Sequence, residues 1–355
     1  MRMQSRRAER FVVALGAVSA LLAGCAQQGT VITGDLEGRR VEMFEVEEPW
    51  LVYAWSAAQT SSRPTHLVAR DLRTNGETEL EANWKSHELA LDQGRVAYWM
   101  GAIGGSLTGD IVLYDLAAGS KKVVGHGRVT ALDLSGEQVV WSERSGGAAV
   151  ILKQRVGASA PIPLSEDPPG GSIHNREPRI SGPYVVWTRF DASTRENRLC
   201  THDLNAGKTT QTPIGGKENY VYDLSGNQLV YRFASADVRS IRVYDVATGQ
   251  DREIVQGPRL SGGPAIANQT VAWYEDMPQA DFKPIAGQPL IDHRDFRTLY
   301  RHDLATGKTR KLASDVFGLS RPFVSREGRI YATAPRGMIP AGQSNLVVPV
   351  DLRRW

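Results

Sequence analysis

The sequence has little with which to cross-link itself. Two cysteines, Cys25 and Cys200, stand in 355 residues, so contacts other than disulfides must stabilise the fold. Long apolar runs are scarce as well. The run at the front, Phe11 to Leu22, is about a dozen residues, short of the roughly 20 a bilayer-spanning helix needs. An excess of one charge is also missing from the body of the chain. The first 24 residues hold four of the 42 basic residues and one of the 39 acidic ones, which leaves 38 of each beyond them. The sequence pI of about 8.8 is therefore no argument for a nucleic-acid partner. No long stretch shows a 3.6-residue apolar period, which excludes stacked helical repeats. Neither G-x-S-x-G nor H-E-x-x-H occurs, so two common hydrolase signatures are absent.

What is present begins with a leader. Arg2, Arg6, Arg7 and Arg10 precede the apolar run, and small residues close it, the layout of a secretory signal. The closing phrase "LLAGC", Leu21 to Cys25, resembles the lipobox of bacterial lipoprotein precursors. That resemblance implies cleavage before Cys25 and lipidation of Cys25, hence residues 1–24 as signal peptide, 25–33 as a lipidated tether, and a partner membrane reached through acyl chains. Several chains on one residue hold firmly where one holds only marginally. Ala26 implies, by the same analogy, the periplasmic face of the outer membrane in an organism with two membranes.

Residues 34–355 read as one domain built of repeats. A short apolar run ending in an aromatic recurs at Tyr53, Tyr98, Trp141, Trp187, Tyr231, Trp273 and Tyr331, at spacings of 45, 43, 46, 44, 42 and 58. "LSGEQ", "ISGPY" and "LSGNQ" stand before such runs, and phrases such as "LYDLAAGSKKVV" and "RHDLATGKTRKL" follow them. Each unit thus reads as strand, Ser-Gly turn, strand, loop, strand, Thr-Gly or Ala-Gly turn, strand. The aromatic strand is apolar at consecutive positions, as in a strand covered on both faces. The pattern predicts an all-β fold, a seven-bladed β-propeller of four-stranded antiparallel blades. The last unit lacks a fourth strand before the end at Trp355. "GRRVEMF" is expected to supply it, so that the N-terminal strand closes the last blade.

The "DLATGKTRKL" and "SG..VVW" phrases resemble the TolB-like propeller repeats of bacterial envelope proteins, over residues 35–355. The resemblance implies an interaction platform in the cell envelope. Some relatives bind carbohydrate or carry lyase or peptidase activity. The resemblance covers TolB's propeller and not its N-terminal α/β domain, so TolB's own role is not expected to carry over.

Chemistry is sparse. "GKT" at Gly207 and at Gly307 has His where a phosphate loop needs Gly, so both read as hairpin turns. Ser172 and His174 are two residues apart on a loop, without an assignable acid. No catalytic residue, metal ligand or cofactor is assigned. Long irregular stretches mark the candidate working face: 100–110, 165–178 and the insertion 275–297. The insertion places Asp281, Asp292, His293 and Asp295 among Phe282, Pro284, Ile285, Pro289, Leu290 and Ile291. A partner-binding loop fits that mixture better than a cation site. The segments entering each blade bring His87, Glu88, Arg128, Arg176, Glu177, Lys217, Arg259 and Arg321 to the channel mouth. The leading expectation is capture of another envelope protein or a cell-wall component through the long loops, by Phe282 and His293 among others. The alternative is a binder or lyase-like enzyme for acidic glycans, with Arg128, Arg176, Arg259 and Arg321 as anion contacts and His174 or His87 as proton carriers. Cys200 is expected to be a small buried residue.

Overall fold

The computed structural model describes residues 39–57, 66–84, 86, 88–101, 108–145, 148–165, 167, 171–217, 220–235, 238–276, 278, 296–317, 322–333 and 347–350. Every regular element among them is a β-strand. The strands come in groups that follow the sequence units. The first is β1 (Arg39–Glu47), β2 (Trp50–Ala57), β3 (His66–Asp71) and β4 (Glu77–Glu81). The second is β5 (Leu89–Asp92), β6 (Arg95–Trp99), β7 (Gly109–Asp115) and β8 (Ser120–Gly127). The third is β9 (Val129–Ser135), β10 (Gln138–Ser145), β11 (Ala148–Arg155) and β12 (Ile162–Pro163). The fourth is β13 (Ile173–Ser181), β14 (Tyr184–Asp191), β15 (Glu196–Asp203) and β16 (Lys208–Gly216). The fifth is β17 (Val221–Ser225), β18 (Gln228–Ala234), β19 (Arg239–Asp245) and β20 (Asp251–Gln256). The sixth is β21 (Leu260–Ala267), β22 (Thr270–Asp276), β23 (Phe296–Asp303) and β24 (Lys308–Phe317). The seventh is β25 (Phe323–Val324), β26 (Ile330–Thr333) and β27 (Val347–Val350).

The architecture is an all-β propeller of antiparallel sheets, with two corrections to the sequence reading. The first concerns the blades. Four of the groups (first, second, fifth and sixth) stand as separate four-stranded sheets, not seven. The third and fourth are joined into one eight-stranded sheet by a single parallel bridge, Ala149 opposite His174. The cause is visible in "SAPIPL": prolines at 161 and 163 remove N–H donors from the outer strand. Only Ile162–Pro163 pairs with β11, and the start of β11 is left for β13 to meet. The seventh sheet has three strands among the described residues.

The second correction concerns closure. The strand containing "RRVEMF" does not complete the last sheet. It is β1, paired antiparallel with β2 from Arg39 opposite Ala57 to Glu47 opposite Trp50. Glu48 and Pro49 form the turn, where the third, fourth and fifth groups have Gly136-Glu137, Gly182-Pro183 and Gly226-Asn227. The segment is thus the first strand of the first group rather than the fourth strand of the last. The two ends of the series meet by packing instead. Val46, Leu51, Tyr53 and Val68 share a buried cluster with Tyr331, and Phe44 and Phe323 pack onto it. Tyr331 Oη donates to Glu48 Oε1 at 2.5 Å, Arg329 pairs with Glu48, and Arg326 Nη2 lies 3.3 Å from Glu47 Oε1.

The core lies between the groups. The aromatic strands are covered on both faces: Val185, Val186, Trp187 and Thr188 are all buried in succession. Trp141, Trp187 and Trp273 are core residues. One buried cluster sits across the second and third groups, another across the fifth and sixth. A group alone could not bury its faces, which makes the ring cooperative. The outer turns are held by the Asp that precedes them: Asp115 Oδ1 accepts the N–H groups of Ala117 and Ala118 at 3.1 and 2.9 Å, and Asp203, Asp245 and Asp303 repeat the device. No helix among the described residues is long and apolar enough to cross a membrane.

Candidate functional site: the axial cavity

The first strand of each group faces the propeller axis and has a sheet partner on one side only, save for the single bridge from β13 to β11. Its remaining backbone N–H groups need acceptors. Side chains of the preceding group supply them. Glu45 Oε2 accepts from Leu91 N–H at 2.9 Å, Asp133 Oδ2 from Ile180 N–H at 2.8 Å, and Asp223 Oδ2 from Ile266 N–H at 3.0 Å. These form one tier, from the first, third and fifth groups to the second, fourth and sixth. A second tier lies two residues further on. Glu47 caps Gly94 N–H at 3.1 Å, Asp92 caps Gly136 N–H at 2.5 Å, Ser135 caps Gly182 N–H at 3.1 Å, and Ser181 caps Gly226 N–H at 2.8 Å. Gly182 and Gly226 have φ of 55° and 58°, left-handed backbone that glycine takes without steric cost.

These tiers surround a cavity of about 370 Å³ at the short-turn ends of the inner strands. Glu45, Glu47, Asp92, Asp133 and Asp223 line it, with Arg179 and Arg326 as the cations. Arg179 stands on the fourth group, between Asp133 on the third and Asp223 on the fifth. Burial by itself would lower its pKa, but Asp133, Asp223 and Glu45 outweigh that and hold the guanidinium protonated. Arg326 bonds both Asp92 and Glu47. Burial pushes the Asp133 carboxyl up to about 6; Arg179 opposes the rise and Asp223 adds to it. Burial also raises Glu47. Glu88, just ahead of β5, is pushed up to about 7 by burial, with Arg179 opposing and Glu177 adding. The carboxylates are spread around the ring, and no three His, Cys, Asp or Glu among the described residues converge as a metal site.

Of the residues singled out from the sequence, Glu88 faces Arg179 and Glu177, and the others lie away from the axial charges. None of the described ones lines the cavity. Arg176 donates to Asn197 Oδ1 at 2.9 Å and holds its guanidinium 4.6 Å from the Phe190 ring centre. His174 stacks on the same ring, with centroids 6.1 Å apart. Glu177 accepts the Tyr222 O–H at its backbone carbonyl. The Arg128 carbonyl accepts from Arg144 N–H at 3.0 Å. The Arg259 guanidinium is half exposed, 3.9 Å from Glu275, and Lys217 is exposed. His87, Phe282, His293, Arg321 and Cys25 fall outside the described residues, as does most of the 275–297 insertion. Cys200 is buried on β15, and burial pushes its thiol up to about 12.

The axial charges escaped the sequence reading although a signal was there. Aligned on the inner turn, "ALDLSG", "EPRISG" and "VYDLSG" put Asp133, Arg179 and Asp223 in one column. An acid two residues before a Ser-Gly turn, replaced once by Arg, marks a ring with a built-in counter-ion.

Comparison with known proteins agrees with the fold. No family model matches the sequence, and no curated protein is significantly similar to it. Solved structures do match. The β-propeller domain of the Trilobed protease from Pyrococcus furiosus is 12% identical, with a TM-score of 0.60 over 89% of this chain and 94% of that one. An oligogalacturonate lyase in complex with manganese is 11% identical, with a TM-score of 0.51 over 85% and 86%. TolB from Acinetobacter baumannii is 17% identical over 88% and 71%, but its TM-score of 0.49 carries no argument. At such identities the likeness concerns the fold alone, and it puts the chain in the β-propeller class.

Proposed function

We propose that the chain is an exported, lipid-anchored propeller of the cell envelope that works as a binding platform for another envelope protein or a cell-wall component. One observation carries the platform reading. The axial carboxylates, where a propeller could keep reactive groups, are spent on the ring itself: Glu45, Asp92, Asp133 and Asp223 each accept a backbone N–H of the next group. The rigid ring then serves as scaffold, and binding falls to the loops. The anchor rests on "LLAGC" and Cys25. Membrane fractionation of the wild type beside Cys25→Ser tests it: the wild type should pellet with membranes and C25S should appear in the soluble exported fraction. Equal partition of the two would refute the anchor.

A second reading, recognition of acidic glycans at the channel mouth, has one supporting arrangement. Arg176 and His174 are held against the same Phe190 ring, a cation and a proton carrier on one rigid support. Arg176→Ala and His174→Ala distinguish the readings. They should leave partner capture unchanged if the chain is a platform, and abolish glycan binding or turnover if the mouth is a glycan site.

A further inference from the structure

We propose that the axial cluster of Asp133, Glu88 and Arg179 is a pH-responsive keystone, holding the strand groups together more firmly in mild acid than in mild alkali.

The geometry places the cluster where all groups converge. Asp133 belongs to β9 and bonds the backbone of β13 at Ile180, so it spans two strand groups. Arg179 lies on β13 one residue before that contact. The charges around Asp133 come from every side of the cavity: Glu45 and Glu47 from β1, Asp92 from β5, Arg179 from β13, Asp223 from β17, and Arg326 from the turn after β25; β21 lends only Ile266, Ala267 and the adjacent Asn268. Among the described residues, five carboxylates therefore share two guanidiniums. Arg326 is committed to Glu47 and Asp92, and Arg179 is left to balance Asp133, Asp223 and Glu45. Nearby, Glu88 is held by a backbone N–H bond from Leu132 and faces Glu177 and the same Arg179. One guanidinium cannot neutralise so many carboxylates in a confined space, and a proton is the smallest cation that can share the task.

The direction of the effect follows from the shifts. Asp133 binds its proton at about 6 when folded against an ordinary 3.8, and Glu88 at about 7 against 4.5. Both hold the proton more tightly in the folded chain. Each therefore adds stability as pH falls through its folded value, and the gain is complete below the ordinary value. Protonated Asp133 still has a carbonyl oxygen for the Ile180 N–H, so the bond between groups survives while the repulsion with Asp223 ends. His202 and His302, both lowered by burial, act in the opposite sense in the same window. The test is therefore a comparison with variants rather than a bare pH profile.

Thermal unfolding of the full chain, followed by tryptophan fluorescence, is compared with the double variant Asp133→Asn, Glu88→Gln. The amides mimic the protonated carboxyls and keep an acceptor oxygen. Near pH 8 the double variant should melt about 3–6 °C above the wild type, near pH 5 the gap should be clearly smaller, and it should close only below the ordinary carboxylate values of 3.8 and 4.5. A variant that melts below the wild type by the same margin at both pH values would overturn the proposal. Infrared spectroscopy of the folded wild type gives a reading independent of the variants. The C=O stretch of protonated carboxyl should be present near pH 6 and lost near pH 8.5; its absence near pH 6 would equally overturn the proposal.

Discussion

The Asp133 carboxylate accepts the backbone N–H of Ile180 at 2.8 Å across the boundary between the third and fourth strand groups. Forty-seven residues separate them, about one repeat, so the bond is a unit-to-unit joint. Asp133→Ala removes the acceptor and leaves an enclosed N–H without a partner, which costs about 1–3 kcal/mol. Asp133→Asn keeps an oxygen in place. In urea unfolding near pH 7, D133A is expected to fall below D133N by that amount, and D133N to match or exceed the wild type. Equal losses in the two would show that the acceptor oxygen is not what matters.

The seam between the first and last groups makes a second expectation. Glu48 receives both the Tyr331 hydroxyl and Arg329. Glu48→Ala and Tyr331→Phe should each cost about 1 kcal/mol, and the double variant should cost less than the sum, because the two residues share one contact. A double-mutant cycle by denaturant unfolding reads the coupling. Strict additivity would mean that the ends of the chain do not meet through this pair.

Cys200 offers a third. Its thiol is buried and pushed up to about 12 by burial, so little thiolate exists at neutral pH. A lipidated Cys25 would leave Cys200 as the sole thiol. Native protein from membranes should therefore show no rapidly reacting thiol towards a disulfide reagent, and one per chain after unfolding. A rapid native reaction would place a free thiol at Cys25 or an opened path to Cys200.

Trp187 supplies a fourth. Its Nε1–H donates to Asn175 Oδ1 at 2.9 Å, and Asn175 in turn donates to the Ala149 carbonyl at 3.2 Å. The indole thus fills the cluster between the third and fourth groups and ties the strands that join them. Trp187→Ala should cost about 3–5 kcal/mol, and Trp187→Phe distinctly less, read by chemical denaturation. A loss below about 1 kcal/mol for the alanine variant would contradict a packed boundary.

Much of the strand order was legible because hydrophobic runs and turn residues repeat together. Tyr98, Trp141, Trp187, Tyr231 and Trp273 all fall on the second strand of their groups, as consecutive apolar residues require. The reading failed where a unit departs from the common phrase. Glu47-Glu48 stands where other units have Ser-Gly, so the phrase reads as a closing strand rather than as β1. Prolines at 161 and 163 shortened β12, so the third and fourth groups merged into one sheet. The site was less legible than the fold. Arg176 and His174 stand out in sequence as charged residues on a loop, yet in space they pack on Phe190. Asp133 and Arg179 look like ordinary strand residues. Their meaning depends on neighbours one repeat away, which only the ring brings together.

The binding platform is tested most directly by crosslinking and capture from native membranes, with the full-length chain beside one lacking residues 278–292. The expected result is a specific envelope partner recovered with the full-length chain and lost with the shortened one, while both chains melt alike. Recovery of the same partner with the shortened chain, or of none with either, would contradict a platform that works through that loop.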